Sequence, residues 1–128
     1  MLLVPLFTQC KAQQNSNKMA NYEYIDGNGN LYVISSTTIV YDPITPEESS
    51  TGTYSGGEPY NITIDLKQFN NLENKFKKVM TNTDGQTKAR NKGTGTLIIL
   101  PKRTTYIFEM NSTQKKEIED AIQLLTNR

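Results

Sequence analysis

An α+β domain, with an antiparallel sheet and two helices packed on one face, is the fold class that this 128-residue sequence predicts. Three observations carry the prediction. Apolar and aromatic residues alternate with polar ones through three consecutive runs between Tyr22 and Tyr41, the period of a half-buried strand. Short turns, rather than long crossovers, join most of the strand-like runs. Helical spacing takes over in only two places, after Asp65 and after Ser112, with no regular alternation of strand and helix. The predicted order is β-β-β-β-α-β-β-α.

The elements follow in chain order. Tyr22 to Ile25 and Leu31 to Ser35 read as strands around Asp26-Gly27-Asn28-Gly29-Asn30. Asp-Gly and Asn-Gly favour a type I′ turn because both of its central residues need positive φ, so a tight hairpin is expected here. Thr37 to Tyr41 is β-branched and aromatic and stops at Asp42-Pro43. Residues 42–60 carry Pro43, Pro46 and Pro59 with Gly52, Gly56 and Gly57, and predict a long structureless loop. Loops of that length are usually functional or disordered. Asn61 to Ile64 is a short strand that enters a helix at Asp65, where Gln68 three residues later completes a capping box. Leu66, Phe69, Leu72, Phe76, Val79 and Met80 form one apolar face of that helix. A second polar loop, basic this time, spans 81–95. Thr96 to Leu100 and Thr104 to Met110 predict a hairpin turning at 101–103 and apolar on both faces at its middle. A last helix starts near Asn111 or Ser112. Its stripe is Ile118, Ala121, Ile122 and Leu125, and Glu117, Glu119, Asp120 and Gln123 face water.

Composition removes several chemistries. The chain has no histidine and one cysteine, which excludes His-dependent triads, His or Cys metal sites and an internal disulfide framework. Ser, Thr, Asn and Gln make up about a third of the residues, a composition suited to a wet, loop-rich surface. The net charge is only +1, but it is segregated. Residues 19–64 hold six acids and no Lys or Arg, whereas 65–103 hold nine bases and three acids. The simplest expectation is that the two halves attract each other within the domain. A pI of 7.8 lies below the value of about 9 common among strong nucleic-acid binders.

The amino terminus has its own logic. Met1 to Phe7, MLLVPLF, is apolar and ends at Thr8-Gln9-Cys10, after which the sequence turns polar without periodicity. Seven apolar residues cannot span a bilayer, which takes about 20. The segment resembles the end of a bacterial lipoprotein signal peptide, in which an apolar stretch and a lipobox stop at a cysteine that is lipidated and becomes the first residue. Leu6-Phe7-Thr8-Gln9-Cys10 occupies the lipobox position. The resemblance implies that residues 1–9 are a truncated signal-peptide-like segment, to be left out of fold reasoning. It further implies lipidation at Cys10, a flexible tether over 10–20, and a single α+β domain over 21–128. Lipidation would also mask a lone thiol in an oxidising compartment.

Several motifs have plain structural explanations. Asp26, Asn28 and Asn30 match the first oxygen positions of a calcium loop, but Leu31 and Thr37 stand where Gly and a bidentate Glu are needed. A hairpin turn accounts for the pattern. Gly56-Gly57 precede Glu58-Pro59 rather than a lysine and a helix, so they make no phosphate cradle. Ser55 has no histidine to activate it. Glu47-Glu48, on a Pro- and Ser-rich loop, should be solvated rather than act as an acid–base pair.

Two surfaces remain. The acidic loop 42–60 with Tyr41, Tyr54 and Tyr60 has the composition of a recognition surface, because exposed tyrosine gives contact area at little entropic cost. Tyr54, Ser55, Gly56, Gly57, Glu58 and Tyr60 are its candidate partner-binding residues. Against it stands the basic 75–103 region, in which Lys88, Arg90, Lys92, Lys102 and Arg103 would gather beside Lys75, Lys77 and Lys78 to bind single-stranded nucleic acid. Alternation instead places Tyr106 and Phe108 in the core. The first expectation is a non-enzymatic, lipid-anchored envelope protein that meets a protein partner through the acidic loop and a membrane through Cys10. No cofactor and no metal are expected. The alternatives are a cytosolic nucleic-acid-binding domain and a hydrolase or lyase with an unusual carboxylate or Tyr/Lys site.

Overall fold

A computed structural model describes residues 20–126. The three alternating runs form a meander of β1 (Ala20–Ile25), β2 (Leu31–Ser35) and β3 (Thr38–Asp42), followed by β4 (Tyr60–Thr63) and α1 (Leu66–Thr81). After α1 come β5 (Gln86–Thr87), β6 (Gly95–Ile99), β7 (Thr104–Phe108) and α2 (Thr113–Thr126). The sheet has seven strands in the order β4-β3-β2-β1-β6-β7-β5, and each neighbouring pair is antiparallel. The α+β class and the antiparallel sheet are those expected.

Register puts one set of side chains under the helices. Tyr24 pairs with Tyr32, Tyr32 with Tyr41 and Tyr41 with Tyr60, while Tyr24 also pairs with Leu97 and Leu97 with Tyr106. Below this row run Tyr22, Ile34, Ile39 and Ile62 in matching pairs. Phe69, Leu72, Phe76 and Val79 of α1 and Ile118 and Ile122 of α2 close over them as one core. Tyr22 lies against Phe76, edge to face at 4.9 Å. Leu66 departs from its expected place in the stripe: it is 64 % exposed. As the first helical residue it precedes the turn at which α1 reaches the core.

The termini of α1 obey local chemistry. Asp65 accepts the Gln68 amide at 2.8 Å, and the Gln68 side chain returns to the Asp65 amide at 2.9 Å, completing the expected box. At the other end the last carbonyls need donors. Gln86 supplies one, its amide reaching the carbonyls of Val79, Met80 and Asn82. The buried Gln114 of α2 donates to those of Asn82 and Asp84. This role for Gln86 explains β5, which the sequence did not announce. Two residues are too few to show a period, and they pair only with β7, as the outermost strand of the sheet. The helix α2 begins at Thr113, and the Ser112 hydroxyl accepts the Lys115 amide as the expected cap.

The other face of the sheet has no helix of the described chain on it. Ile25, Leu31, Val33, Val40, Ile98 and Ile107 fall there by register, with Glu23 among them in an ion pair to Arg103 at 3.2 Å. Ile98 is buried, so the middle strand is apolar on both sides, as its sequence predicts. Thr96, also on this face, has a buried hydroxyl with no hydrogen-bond partner.

Candidate functional site

One end of the sheet carries the Asp26–Asn30 turn, the 43–59 loop and the 88–94 loop, because Ile25, Asp42, Tyr60, Gly95 and Phe108 all terminate strands there. The turn has three residues rather than the expected two. The Gly29 amide donates to the Asp26 carbonyl, and the Asp26 amide to the Asn30 carbonyl, both at 3.0 Å. Gly29 takes the positive φ (94°), as in a type I turn closed by a bulge. The Asp26 carboxylate is engaged by the amides of Asn28 and Asn30, so it organises the turn.

Asn30 is the residue from which the site grows. It is 3 % exposed. Its side-chain amide donates to Asp26 at 3.0 Å and to the Tyr54 hydroxyl at 2.9 Å, and its carbonyl oxygen accepts the Ile44 amide at 2.8 Å. One buried side chain thus ties both limbs of the 43–59 loop to the β1–β2 turn. Within the loop, Gly56 donates to the Ile44 carbonyl at 2.9 Å and accepts the Tyr41 hydroxyl at 2.6 Å. A turn at 45–49 is closed by Glu48 and Ser49 amides on the Thr45 carbonyl. Gly56 passes so close that a Cβ there would collide with the Asn30 carbonyl oxygen and stand 2.8 Å from Pro43. The loop expected to be structureless is a built element, held by tertiary bonds that composition does not reveal.

Beside the loop lies a groove of about 360 Å³. The tyrosine row forms its floor: Tyr32 and Tyr41 rings are 4.8 Å apart, and Tyr41 and Tyr60 stack at 4.9 Å. Gly56 and Glu58 form the loop wall, and Gln123 and Thr126 at the end of α2 form the other. A smaller cavity of about 60 Å³ adjoins it, sharing Tyr32 and Gln123 and adding Asp26, Glu119 and Ile122. Glu119, expected to face water, instead accepts the buried Tyr24 hydroxyl at 2.7 Å and pairs with Lys115 at 3.1 Å. Burial pushes the Tyr41 phenol up to about 12, helped by the Asp26 charge and by Tyr54 and Tyr60. Burial raises Tyr22, Tyr24 and Tyr32 further still.

The expected site residues are therefore only partly gathered. Gly56, Glu58 and Tyr60 line the groove; Ser55 and Gly57 are exposed on its loop, and Tyr54 is half-buried with its hydroxyl taken by Asn30. Tyr41 is not an exposed recognition tyrosine, being 8 % exposed and bonded. Glu47 and Glu48 are exposed, and Glu48 accepts the Thr45 amide at 3.0 Å. Cys10, the tether and residues 1–19 as a whole lie outside the described residues. Asn30, Tyr32, Gln123 and Thr126 did not stand out in the sequence. Only the pairing register of the strands brings Tyr24, Tyr32 and Tyr41 into one row.

The basic region is divided by the topology. Lys88, Arg90 and Lys92 precede β6 at the turn end, while Lys102 and Arg103 follow it at the opposite end. Five strand residues separate the two groups by about 13 Å. Lys77 and Lys78 face Glu73 and Glu117, and Phe108 is fully buried. Among the described residues, Glu23–Arg103 is the only ion pair that joins the acidic 19–64 segment to the basic 65–103 segment. That contact joins the two oppositely charged halves directly.

Among the described residues there is no group of three or more His, Cys, Asp or Glu side chains able to hold a metal ion, and no helix long and apolar enough to cross a membrane. No family model matches the chain, and comparison with curated proteins and with solved structures returns no match either.

Proposed function

We propose that this chain is a small, non-enzymatic cell-envelope lipoprotein, anchored by a lipid on Cys10 and acting as a binding, inhibitory or accessory module for a protein partner. The observation that supports it best is the Asn30 junction, which holds a long acidic loop against a tyrosine-floored groove. A loop kept in one shape loses little entropy on binding, which is what a recognition surface requires. Tyr54 through Tyr60 supply that surface, and the polar Cys10–Ala20 stretch supplies the reach from the membrane.

Two experiments test the two halves of the reading. Expressed with its native upstream DNA, the wild-type protein should start at Cys10, be heavier by acyl groups and partition into membranes, and Cys10→Ala should do neither. An unmodified soluble chain retaining residues 1–9 would refute the anchor. Replacing residues 43–59, between the ends of β3 and β4, by a short Gly/Ser linker should leave the sheet folded and remove partner binding. Undiminished binding would refute the role of the loop.

A further inference from the structure

The groove and its smaller neighbour share a property that narrows what they can hold. No Lys or Arg lines either of them, whereas Glu58, Asp26 and Glu119 do. Asp26 and Glu58 form no ion pair among the described residues. The remaining polar lining consists of groups that can accept: the tyrosine and threonine hydroxyls, the Gln123 amide oxygen and the Gly56 carbonyl, which keeps a second lone pair after taking the Tyr41 proton.

Tyr32 is the telling residue. It is only 7 % exposed, it lines both cavities, and its hydroxyl has no hydrogen-bond partner among the described residues. The ring is buried but the hydroxyl itself is not a buried atom, so its donor and acceptor capacity stays open to the cavities. Here the unfilled position opens on two cavities bordered by carboxylates.

We infer that the groove over Tyr32, Tyr41 and Tyr60 is a receptor for a cationic side chain, that of an arginine or lysine in a basic segment of the protein partner. This deepens the binding-module reading and rests on it. A guanidinium fits best because it brings five N–H donors and no acceptor, and its plane lies well against aromatic carbon. The surrounding 19–64 segment, with six acids and no base, draws such a segment in over a longer range.

The test is an NMR titration of the full chain with three blocked peptides, Gly-Arg-Gly, Gly-Lys-Gly and Gly-Glu-Gly, and separately with N-acetylglucosamine, since a sugar ring also packs on tyrosine. It is repeated on Arg128→Ala, which removes an arginine only two positions beyond the groove residue Thr126 in sequence. The expected result is saturable, millimolar movement of Gly56, Glu58, Gln123 and Thr126 resonances with the arginine peptide, weaker with lysine and absent with glutamate. Glu58→Gln, an exposed change that leaves the fold intact, should weaken the arginine peptide about three- to fivefold, as should removal of an exposed ion pair. No movement in either chain, an equal response to the glutamate peptide, tighter binding of the sugar, or indifference to Glu58→Gln would each overturn the inference. If the arginine peptide fails while loop replacement abolishes partner binding, this inference falls and the binding surface stands. If loop replacement leaves partner binding intact, the loop reading itself falls.

Discussion

Asn30→Ala is the most informative single substitution in this domain. The side chain is 3 % exposed and makes three kinds of bond: to the Asp26 carboxylate, to the Tyr54 hydroxyl and to the Ile44 amide. The bond to the carboxylate is charge-assisted, worth roughly 1.5–3 kcal/mol net, and the two neutral bonds are worth about 1 kcal/mol each. Tyr54 and Ile44 are half-buried, so water recovers part of what they lose. The expected destabilisation is therefore about 3 kcal/mol, or roughly 10 °C in Tm for a domain of this size. Two assays separate the sheet from the loop. Thermal denaturation by circular dichroism reads the whole domain, and hydrogen exchange at the Ile44 and Gly56 amides reads the loop. Asn30→Asp keeps the shape but sets a second carboxylate against Asp26, so at neutral pH it should be at least as damaging. A Tm within 1–2 °C of wild type, of the size expected for ordinary surface substitutions, with unchanged exchange at both amides would refute the account of Asn30 as the junction.

Three further outcomes follow from the same structure. Gly56→Ala drives a Cβ into the Asn30 carbonyl oxygen and Pro43, so exchange in the 43–59 loop should rise with smaller loss in the sheet, and unchanged exchange would contradict the close approach. Thr96→Val replaces a buried hydroxyl that has no partner with an isosteric methyl and should stabilise by about 1 kcal/mol in a urea melt; destabilisation would mean the hydroxyl is satisfied. Alkaline titration supplies the third. The Tyr41 phenol ionises at about 12 when folded, against about 10 when unfolded. Above pH 10 the unfolded state therefore holds fewer protons, so stability present below pH 10 is lost as pH rises toward 12. Absorbance of tyrosinate should show Tyr22, Tyr24, Tyr32 and Tyr41 ionising late, together with unfolding, and seven normal tyrosines would contradict the buried row.

The residues whose chemistry is local were legible in the sequence. Alternation from Tyr22 to Tyr41 and the Asp65–Gln68 box are written in neighbouring positions, and the structure has them where the pattern puts them. Long-range satisfaction was not legible. Asn30 looks like one more turn residue until Ile44 and Tyr54 are brought to it. Gln86 looks like loop until the end of α1 needs a donor. The site shows the same division. Glycines, prolines and acids marked the 42–60 loop, but only register between four strands reveals that Tyr24, Tyr32, Tyr41 and Tyr60 form one row. The basic residues failed as a group for the same reason, because sequence proximity placed together side chains that β6 holds at opposite ends.

The central claim, that affinity for the partner resides at the loop-and-groove end of the sheet, is tested most directly by site-specific photocrosslinking in cells expressing the protein from its native gene. A photoreactive residue replaces the exposed Ser55 in one variant and the exposed Lys77 on α1 in another. Crosslinking of the Ser55 variant to one defined partner, with none from the Lys77 variant, is the predicted result. Capture of the same partner from Lys77 alone, or equally from both, would contradict it.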